Sequence, residues 1–437
     1  MKDNKPSCGC CHSAESDRPA LLGGKPTLAA DLPRQNWPQF NNDDIQAVTQ
    51  VLKEQHWASD APQALALEAE WCRYSGAKFC RATSSGTSAL HTALYGVGVQ
   101  PGDEVLVPAY TFMSSGYVVL HQCAIPIFVD IDIDTFTIDP KKIEAQITEK
   151  TKAIMAVHLF GLPADMDPIL AIAKKHKLAV IEDCAQAHGA TYKGKQIMTI
   201  GDAAGASING AKNLLASEGG LFTTNREDVY KRSDDLSLRI TLSGKTDESK
   251  YPLHTIGFNY RINTLGAALA RSQLRRLDAF NAFRRSNAER MSGILSKIPG
   301  VVPPKVPSDR THVWHMYRVR FDPKAAGVSM SAKAFKEKIA PALTAEGVPN
   351  RAWMAWTMPD RSVFQQLDAY GKGMPWSSPL ARKGIRYNPA EYPEARCVVD
   401  ETVMLPDVPL AKSSEIIDLT GEAFRKVFGN LDAILKA

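Results

Sequence analysis

Between about residues 78 and 225, short apolar runs alternate with stretches that carry the apolar periodicity of helices. Parallel strands need crossover connections, usually helices, so this alternation predicts an α/β fold with a mostly parallel sheet covered by helices. In such sheets ligands bind beyond the carboxyl ends of the strands. The candidate strands are Glu104–Val107, Ile125–Asp130, Ala153–Val157, Ala179–Glu182, Ala203–Ser207 and Gly220–Thr223, and the candidate helices are Thr87–Val97, Ser114–Cys123, Pro140–Ile147 and Pro168–His176.

Two Asp-Pro pairs mark predicted helix starts. Asp139-Pro140 and Asp167-Pro168 each predict an aspartate N-cap followed by proline at the first helical position, where a missing N–H costs no hydrogen bond. The helices that follow would therefore begin at residues 140 and 168.

The length of 437 residues allows a large core and a second, smaller lobe. We predict a flexible leader over residues 1–20, a large domain over residues 21–275 and a smaller α+β domain over residues 276–437. A long helical stretch that begins beyond Asn259 would connect the two domains. It comprises Leu265–Arg276 and Asn281–Ile298, and the smaller domain would hold a strand in His312–Asp322, helices over Ala332–Glu346 and Ser413–Lys436, and a Pro/Trp/Gly-rich span from about 349 to 395.

Charge and hydropathy exclude two classes of function. The net charge is only +5, from 52 basic and 47 acidic residues, and no long basic run argues for nucleic-acid binding. No apolar run approaches the roughly 18–20 residues that span a membrane. The N-terminus has no apolar core of a signal peptide, so we expect a cytoplasmic protein.

Three of the eight cysteines lie in Cys8-Gly9-Cys10-Cys11-His12. A metal clasp is one interpretation, but no second Cys/His cluster completes a tetrahedral shell at zinc-finger spacing. We favour a disordered tail that carries thiols, and we predict no metal site.

The segment Ser84-Ser85-Gly86-Thr87-Ser88 leads into a predicted helix. Glycine and hydroxyl residues at a helix N-terminus can bind phosphate through free N–H groups and the helix dipole. Ser and Thr are also ordinary N-cap residues, and this alternative stays open for the segment taken alone.

Asp183 ends a predicted strand, and Phe112 follows another. A buried carboxylate needs a partner, and a pyridinium nitrogen is one candidate. A helix N-cap is the alternative for Asp183. Phe112 could stack on a flat heterocycle, although a single aromatic residue is more often part of the core.

Lys212 lies five residues after Ser207, in a loop of small residues. Most lysines are solvated surface charges, but this setting suits a partly buried amine with a lowered pKa. A lysine and an acid in these positions fit pyridoxal phosphate chemistry. The lysine holds the aldehyde as a Schiff base, and the acid keeps the pyridine nitrogen protonated so that the ring accepts electrons.

From Ala82 to Leu277 the chain closely resembles the DegT/DnrJ/EryC1/StrS family of sugar aminotransferases, which share the large-domain fold of aspartate aminotransferase. Many ordered motifs carry the resemblance. They are Pro101-Gly102-Asp103-Glu104-Val105, Pro108-Ala109-Tyr110-Thr111-Phe112, Val129-Asp130-Ile131-Asp132, His158-Leu159-Phe160-Gly161-Leu162-Pro163-Ala164-Asp165-Met166-Asp167, Glu182-Asp183-Cys184-Ala185-Gln186-Ala187-His188-Gly189-Ala190, Lys212-Asn213-Leu214 and Asn259-Tyr260-Arg261.

The resemblance implies a seven-stranded sheet, bound pyridoxal 5′-phosphate and a homodimer with shared active sites. It implies that Lys212 forms the Schiff base and shuttles protons, and that Asp183 pairs with the pyridinium nitrogen. The other implied cofactor contacts are Gln186 to the ring hydroxyl, Phe112 stacked on the ring, Thr87, Ser88 and Ser207 on the phosphate, and Asn259 on the phosphate of the neighbouring subunit.

Two departures from the family pattern matter, and the first concerns the substrate. The family often has histidine three residues before the lysine, where this chain has Asn209, and Ser217 stands where glycine is common. Some members acting on cyclitols, or making aromatic amino acids, also lack the histidine. The motifs Leu21-Leu22-Gly23-Gly24-Lys25-Pro26 and His312-Val313-Trp314-His315-Met316-Tyr317 look most like members that aminate keto-inositols such as scyllo-inosose.

We therefore predict an aminotransferase that moves nitrogen from glutamate or glutamine to a keto-sugar or keto-cyclitol. One alternative is a dehydratase or epimerase that uses the same cofactor, although a related dehydratase branch has histidine in place of Lys212. Another is a regulatory binding protein that has lost catalysis. Specificity is expected to lie in residues 349–395 and 240–255.

Overall fold

The computed structural model describes residues 17–30, 37–54, 62–237 and 256–437. Strands and helices alternate along its first half, as the apolar runs predict. In chain order the strands are β1 (Phe79–Thr83), β2 (Glu104–Pro108), β3 (Ile125–Val129), β4 (Thr151–Val157), β5 (Ala179–Asp183), β6 (Thr191–Tyr192), β7 (Lys195–Gln196), β8 (Ala203–Ser207), β9 (Gly220–Thr224), β10 (Val301–Val302), β11 (Arg318–Phe321) and β12 (Thr402–Met404).

The helices occupy the connections between strands and most of the C-terminal part. In chain order the α-helices are α1 (Asn42–Glu54), α2 (Pro62–Ser75), α3 (Gly86–Gly96), α4 (Met113–His121), α5 (Pro140–Ile143), α6 (Met166–His176), α7 (Glu227–Ser237), α8 (Thr264–Leu274), α9 (Leu277–Leu295), α10 (Ala332–Ala345), α11 (Ser362–Gln366), α12 (Pro393–Glu401), α13 (Ser414–Gly429) and α14 (Leu431–Lys436). Short 3-10 turns lie at Ala20–Leu22, Glu144–Gln146, Leu159–Gly161, Pro389–Glu391 and Val408–Leu410.

Seven strands form the central sheet in the order β1-β9-β8-β5-β4-β2-β3. Strands β8, β5, β4, β2 and β3 pair in parallel, and β9 runs antiparallel to its neighbours β1 and β8. All strands except β9 therefore point the same way. This confirms the predicted mostly parallel, seven-stranded sheet, and it brings the carboxyl ends of these strands to one edge.

Strand β1 was not among the candidate strands, because its sequence Phe-Cys-Arg-Ala-Thr carries a charge at its centre. The guanidinium of Arg81 stays within the fold by donating to Asp234 at 2.8 Å and by lying 4.0 Å over the ring of Tyr230. A charged residue thus interrupts the apolar run without excluding the strand from the sheet.

The two predicted aspartate caps differ in outcome. The Asp139 carboxylate accepts the N–H of Lys141 at 3.0 Å, as an N-cap does. The prediction for Asp167 is wrong, since α6 begins at Met166 and Asp167 lies in its first turn, where it pairs with Lys193 at 2.5 Å. Further differences are that the strand expected in His312–Asp322 is limited to Arg318–Phe321, and that the last helix is interrupted at Asn430.

The C-terminal part has its own three-stranded sheet, β10-β11-β12, which is antiparallel. Phe321, Phe335 and Phe424 from β11, α10 and α13 meet in a core beside it, as expected for an α+β unit. Residues of the Pro/Trp/Gly-rich span, including Met358 and Phe364, pack instead into the core of the central sheet. Division into domains at residues 20 and 275 stays a prediction. The motif Cys8-Gly9-Cys10-Cys11 lies outside the described residues.

Glu346 connects residues 20–28 to the C-terminal part. Its carboxylate is fully buried and accepts the N–H of Ala20 at 2.6 Å and the N–H and hydroxyl of Thr27 at 2.9 and 2.6 Å. Lys426 pairs with the same carboxylate at 3.1 Å. Burial raises the pKa of Glu346, but these hydrogen bonds and the lysine charge outweigh it, so the pKa is lowered.

We predict that Glu346→Gln lowers the free energy of unfolding at pH 7 by about 2 kcal/mol, because it removes a charged acceptor from several buried donors. A lowered pKa in the folded state contributes stability above the ordinary carboxyl pKa, and this contribution disappears as the pH falls. Urea denaturation at pH 7 and pH 4 should therefore show that the free energies of unfolding of Glu346→Gln and the unmodified protein lie closer together at pH 4. Glu337→Ala, at an exposed position of α10, the helix that ends just before Glu346, is the control, and a loss of equal size at both pH values would contradict the prediction.

Candidate active site

A cavity of about 370 Å³ lies beyond the carboxyl ends of the parallel strands. It brings together most of the residues that the sequence singled out. Those in its lining are Thr87, Phe112, Asp183, Gln186, Ser207 and Lys212, whereas Ser88 and Asn259 are not part of it.

The start of α3 faces Ser207 at very close range. A Cβ added to Gly86 would lie 2.5 Å from the Cβ of Ser207, so only glycine permits this approach. Ser85 caps the helix by accepting the N–H of Ser88 at 3.1 Å. The first-turn N–H groups of Gly86 and Thr87 have no carbonyl of their own helix to bond. These groups and the Ser207 hydroxyl make a cradle suited to a phosphate.

Ser88 and Thr87 take different places at this helix start. The Ser88 hydroxyl accepts the N–H of Ser85 at 2.8 Å and donates to its carbonyl at 2.7 Å, so it serves the cap rather than the cavity. The Thr87 hydroxyl donates to Ser114, another residue of the lining, at 3.0 Å.

Asp183 is the last residue of β5 and is buried. One of its carboxylate oxygens accepts the hydroxyl of Ser115 at 2.7 Å, and the other accepts the N–H of Ala185 at 3.1 Å. Burial raises the pKa of the Asp183 carboxyl, and the charge of Lys212 and both hydrogen bonds oppose this rise only in part. A cation placed at this carboxylate would stabilise its charged form.

Lys212 lies in the loop between β8 and β9. Its N–H donates to the carbonyl of Asn209 at 2.9 Å, and its carbonyl accepts the indole N–H of Trp37 at 3.2 Å. Burial lowers the pKa of the Lys212 amine, although the carboxylates of Asp183 and Glu218 favour its charged form. A neutral amine is the form that attacks an aldehyde.

Gln186 has a fixed orientation. Its side-chain carbonyl accepts the N–H of Phe160 at 2.8 Å, so its NH₂ group is left as a donor for the cavity. Phe160 adopts a left-handed conformation with φ of 59°, which is uncommon for a bulky residue. The backbone carbonyl of Phe160 accepts the N–H of Met316 at 3.3 Å, so the same turn also contacts a residue from a distant part of the chain.

Phe112 presents its ring at the cavity with 43% of the residue exposed. The ring of Trp353 is nearly parallel to it, with centroids 6.4 Å apart and planes at 13°. Trp353 belongs to the Pro/Trp/Gly-rich span, so this span reaches the cavity. The second segment expected to set specificity, residues 240–255, lies outside the described residues.

Asn259 is exposed and has a left-handed φ of 60°. The rings of Phe258 and Tyr260 stack on each other beside it, with centroids 5.5 Å apart. Ile256 and Phe258 expose 80% and 50% of their surface. Asn259 is thus presented outward next to apolar side chains, away from the cavity of its own chain.

Several lining residues are not among the site residues predicted from the sequence. Ser114, His315, Met316 and Trp353 line the cavity, and Ser115 contacts Asp183 from behind it. The adjacent serines after Phe112 at the start of a helix were a usable signal for Ser114 and Ser115. The other three lie in the motif His312–Tyr317 and in the Pro/Trp/Gly-rich span, but neither pattern indicates which of its residues reach the cavity.

Asn209 is part of the cavity wall. Its side-chain amide donates to Glu218 at 2.6 Å, and its carbonyl oxygen accepts the N–H of Ala211 at 3.1 Å. Asn209 therefore shapes the loop that carries Lys212.

Among the described residues, His158, Glu182 and Cys184 have metal-ligating atoms within 4.8 Å of one another. Their polar atoms already have protein partners. His158 contacts Glu182 at 3.1 Å and accepts the N–H of Ala164 at 3.0 Å, and Glu182 also accepts the N–H groups of Met198, Ile200 and Gly201. This cluster supports the strand ends beneath the cavity.

No helix in the described parts of the chain combines the length and apolar character needed to cross a bilayer.

Comparison with known proteins gives consistent relatives over nearly the whole chain. The spore coat polysaccharide biosynthesis protein SpsC of Bacillus subtilis (strain 168) is 34% identical over 403 residues, which are 90% of this chain and 97% of that protein. A putative L-glutamine:3-amino-2,3-dideoxy-scyllo-inosose aminotransferase of Streptoalloteichus tenebrarius is 32% identical over 426 residues, 95% of this chain and 99% of the relative.

A solved structure extends the comparison to three dimensions. The putative sugar aminotransferase Spr1654 from Streptococcus pneumoniae, in its PLP form, matches with a TM-score of 0.76 and 25% identity, covering 92% of this chain and 99% of that one. The model of the DegT/DnrJ/EryC1/StrS aminotransferase family matches residues 38–386. With that match and these relatives, the chain belongs to the DegT/DnrJ/EryC1/StrS aminotransferase family.

Proposed function

We propose that this aminotransferase moves an amino group from glutamate or glutamine to a ketone on a sugar or cyclitol. Its cofactor is pyridoxal 5′-phosphate. The observation that carries the proposal is that Lys212, Asp183 and the cradle of Gly86 and Ser207 all belong to one cavity.

The cavity offers a chemically matched group for each part of the cofactor. Gly86 leaves room at the start of α3 for a phosphate against Ser207, which a Cβ would fill. The buried Asp183 carboxylate would pair with the ring nitrogen, Gln186 would donate to the ring oxygen, and Phe112 would cover the ring. When bound, the cofactor carries the amino group and accepts electrons from the substrate carbon.

Lys212 is the residue that we assign to proton transfer. Its amine would hold the cofactor aldehyde in the resting enzyme and move a proton between cofactor and substrate carbon during transfer. Its lowered pKa supports this role, because the amine must lose and regain a proton near neutral pH. Asp183 would be ionised beside the ring nitrogen and would keep that nitrogen protonated.

The substrate proposal depends on relatives and on the lining. Related proteins are named for scyllo-inosose and for polysaccharide biosynthesis, and Asn209 replaces the histidine found in many family members. Trp353, Met316 and His315 line the side of the cavity formed by the C-terminal part. We propose that these three residues contact the ketone substrate.

We predict that Lys212→Ala lowers the rate of amino transfer by about 10³-fold, because it removes the general acid–base group. The purified enzyme should be mixed with L-glutamate or L-glutamine and screened against keto-inositols and nucleotide-linked keto-sugars, with product amines measured by mass spectrometry. Lys195→Ala, at an exposed position, is the control.

Two outcomes would favour the alternatives. Release of water or epimerisation of a keto-sugar without consumption of the amino donor would indicate a dehydratase or epimerase. An unchanged biological output in cells that carry Lys212→Ala would indicate a regulatory protein.

We predict that Gly86→Ala weakens cofactor binding by at least about tenfold, because the new Cβ forces Ser207 and the helix start apart. Binding should be measured by titrating the apoenzyme with pyridoxal 5′-phosphate and, separately, with inorganic phosphate. Gly293→Ala is the matched control, since a Cβ there meets no atom within 4 Å. Equal affinity of Gly86→Ala and the unmodified enzyme for both ligands would contradict the phosphate cradle.

We propose that the enzyme is a homodimer and that Asn259 reaches the cofactor phosphate of the partner subunit. The exposed apolar residues Ile256 and Phe258 beside Asn259 support an interface there. We also propose a cytoplasmic location, which the unpaired thiols of Cys72, Cys80, Cys123, Cys184 and Cys397 support.

We expect light scattering to give twice the chain mass of 47.8 kDa. Asn259→Ala should leave that mass unchanged and weaken cofactor affinity, because it removes only the polar contact. A monomer in solution, or unchanged affinity in Asn259→Ala, would contradict the shared site.

A further inference from the structure

A chain of two hydroxyl groups ends on the buried carboxylate of Asp183. The hydroxyl of Ser115 donates to one Asp183 oxygen at 2.7 Å, and the hydroxyls of Thr111 and Ser115 are 2.8 Å apart. Ser115 is fully buried, and Thr111 is only 2% exposed. A carboxylate can only accept, so the Ser115 proton points to Asp183, and Thr111 must therefore donate to Ser115.

The Ser115 hydroxyl does not serve its own helix. Helix α4 begins at Met113 with Phe112 in the cap position, and Phe112 has no side-chain cap. The backbone N–H of Ser115 donates to the Phe112 carbonyl at 3.1 Å, so the local turn is held by backbone atoms. The hydroxyl proton of Ser115 is thus free to be donated to Asp183.

Two hydrogen-bond donors orient the Asp183 carboxylate and favour its ionised form. The Ser115 hydroxyl holds one oxygen and the N–H of Ala185 holds the other at 3.1 Å, which fixes the plane of the group. Burial disfavours the charged carboxylate, and donated hydrogen bonds favour it. Without Ser115, Asp183 would keep only the backbone donor and would rotate and take up a proton more easily.

We propose that Ser115 is a positioning residue, whose hydroxyl keeps the Asp183 carboxylate ionised and aimed at the ring nitrogen of the bound cofactor. Thr111 supports it by holding the Ser115 oxygen. This inference rests on the proposed function, since it requires pyridoxal 5′-phosphate in the cavity with its ring nitrogen at Asp183.

The test compares two ligands that differ at one ring atom. The apoenzymes of the unmodified protein, Ser115→Ala and Thr111→Ala are titrated with pyridoxal 5′-phosphate and with 1-deazapyridoxal 5′-phosphate, in which CH replaces the ring nitrogen. We expect Ser115→Ala to weaken binding of the natural cofactor by about tenfold and to leave binding of the deaza analogue unchanged. Thr111→Ala should also lower the affinity for the natural cofactor relative to the deaza analogue, by a smaller factor.

Ser114→Ala is the matched comparison, because the Ser114 hydroxyl contacts Thr87 at the phosphate cradle instead of Asp183. It should change the affinity for both ligands alike. Thermal unfolding of each apoenzyme identifies variants that simply fold less well. If Ser115→Ala weakens both ligands equally, or neither, the positioning role is overturned.

Asp183→Asn separates this inference from the proposed function. If Asp183→Asn loses the preference for the natural cofactor while Ser115→Ala keeps it, only the role of Ser115 fails. If the unmodified apoenzyme binds neither ligand, or Asp183→Asn shows the same preference as the unmodified protein, the proposed cofactor contact itself fails.

Discussion

The parallel pairing of β5 with β4 and β8 is the constraint on which the rest of the molecule depends. Register partners Val157, Asp183 and Gly205 stand side by side at the carboxyl ends of these strands. The strands themselves are largely apolar and buried, so the polar groups that face a ligand lie where the strands end. Asp183 and Ser207 come within reach of one ligand because their strands are neighbours, although 24 residues separate them in the chain.

Glycine is needed wherever two parts of the cavity wall approach closely. Gly86 lets the start of α3 lie against Ser207, and Gly161 lets the segment 313–315 lie against the turn after β4, where a Cβ would be 3.0 Å from the Trp314 nitrogen. The first contact forms the cradle. The second brings His315 and Met316 to the cavity, so small residues decide its shape on both sides.

The mostly parallel sheet and most helix positions follow from apolar periodicity, because that pattern is local and strong between residues 104 and 224. Strand β1 does not follow, since Arg81 finds its partners in α7, far along the chain. The same division holds for the cavity. Asp183, Ser207 and Lys212 could be predicted from strand ends and loop composition. The segments that contain Trp353 and His315 could be singled out, but the contact of these two residues with the cavity depends on tertiary packing and could not be predicted.

The contacts of Glu346 constrain the order in which parts of the chain can pack together during synthesis. Ala20 and Glu346 are 326 positions apart, and Thr27 and Glu346 are 319 apart. During synthesis, residues 20–28 therefore leave the ribosome long before their acceptor exists, and they remain undocked while the central sheet is made. The same residues can form these hydrogen bonds only after Glu346 has emerged. This contact must therefore wait for synthesis of the C-terminal part, and it carries the entropic cost of bringing such distant segments together.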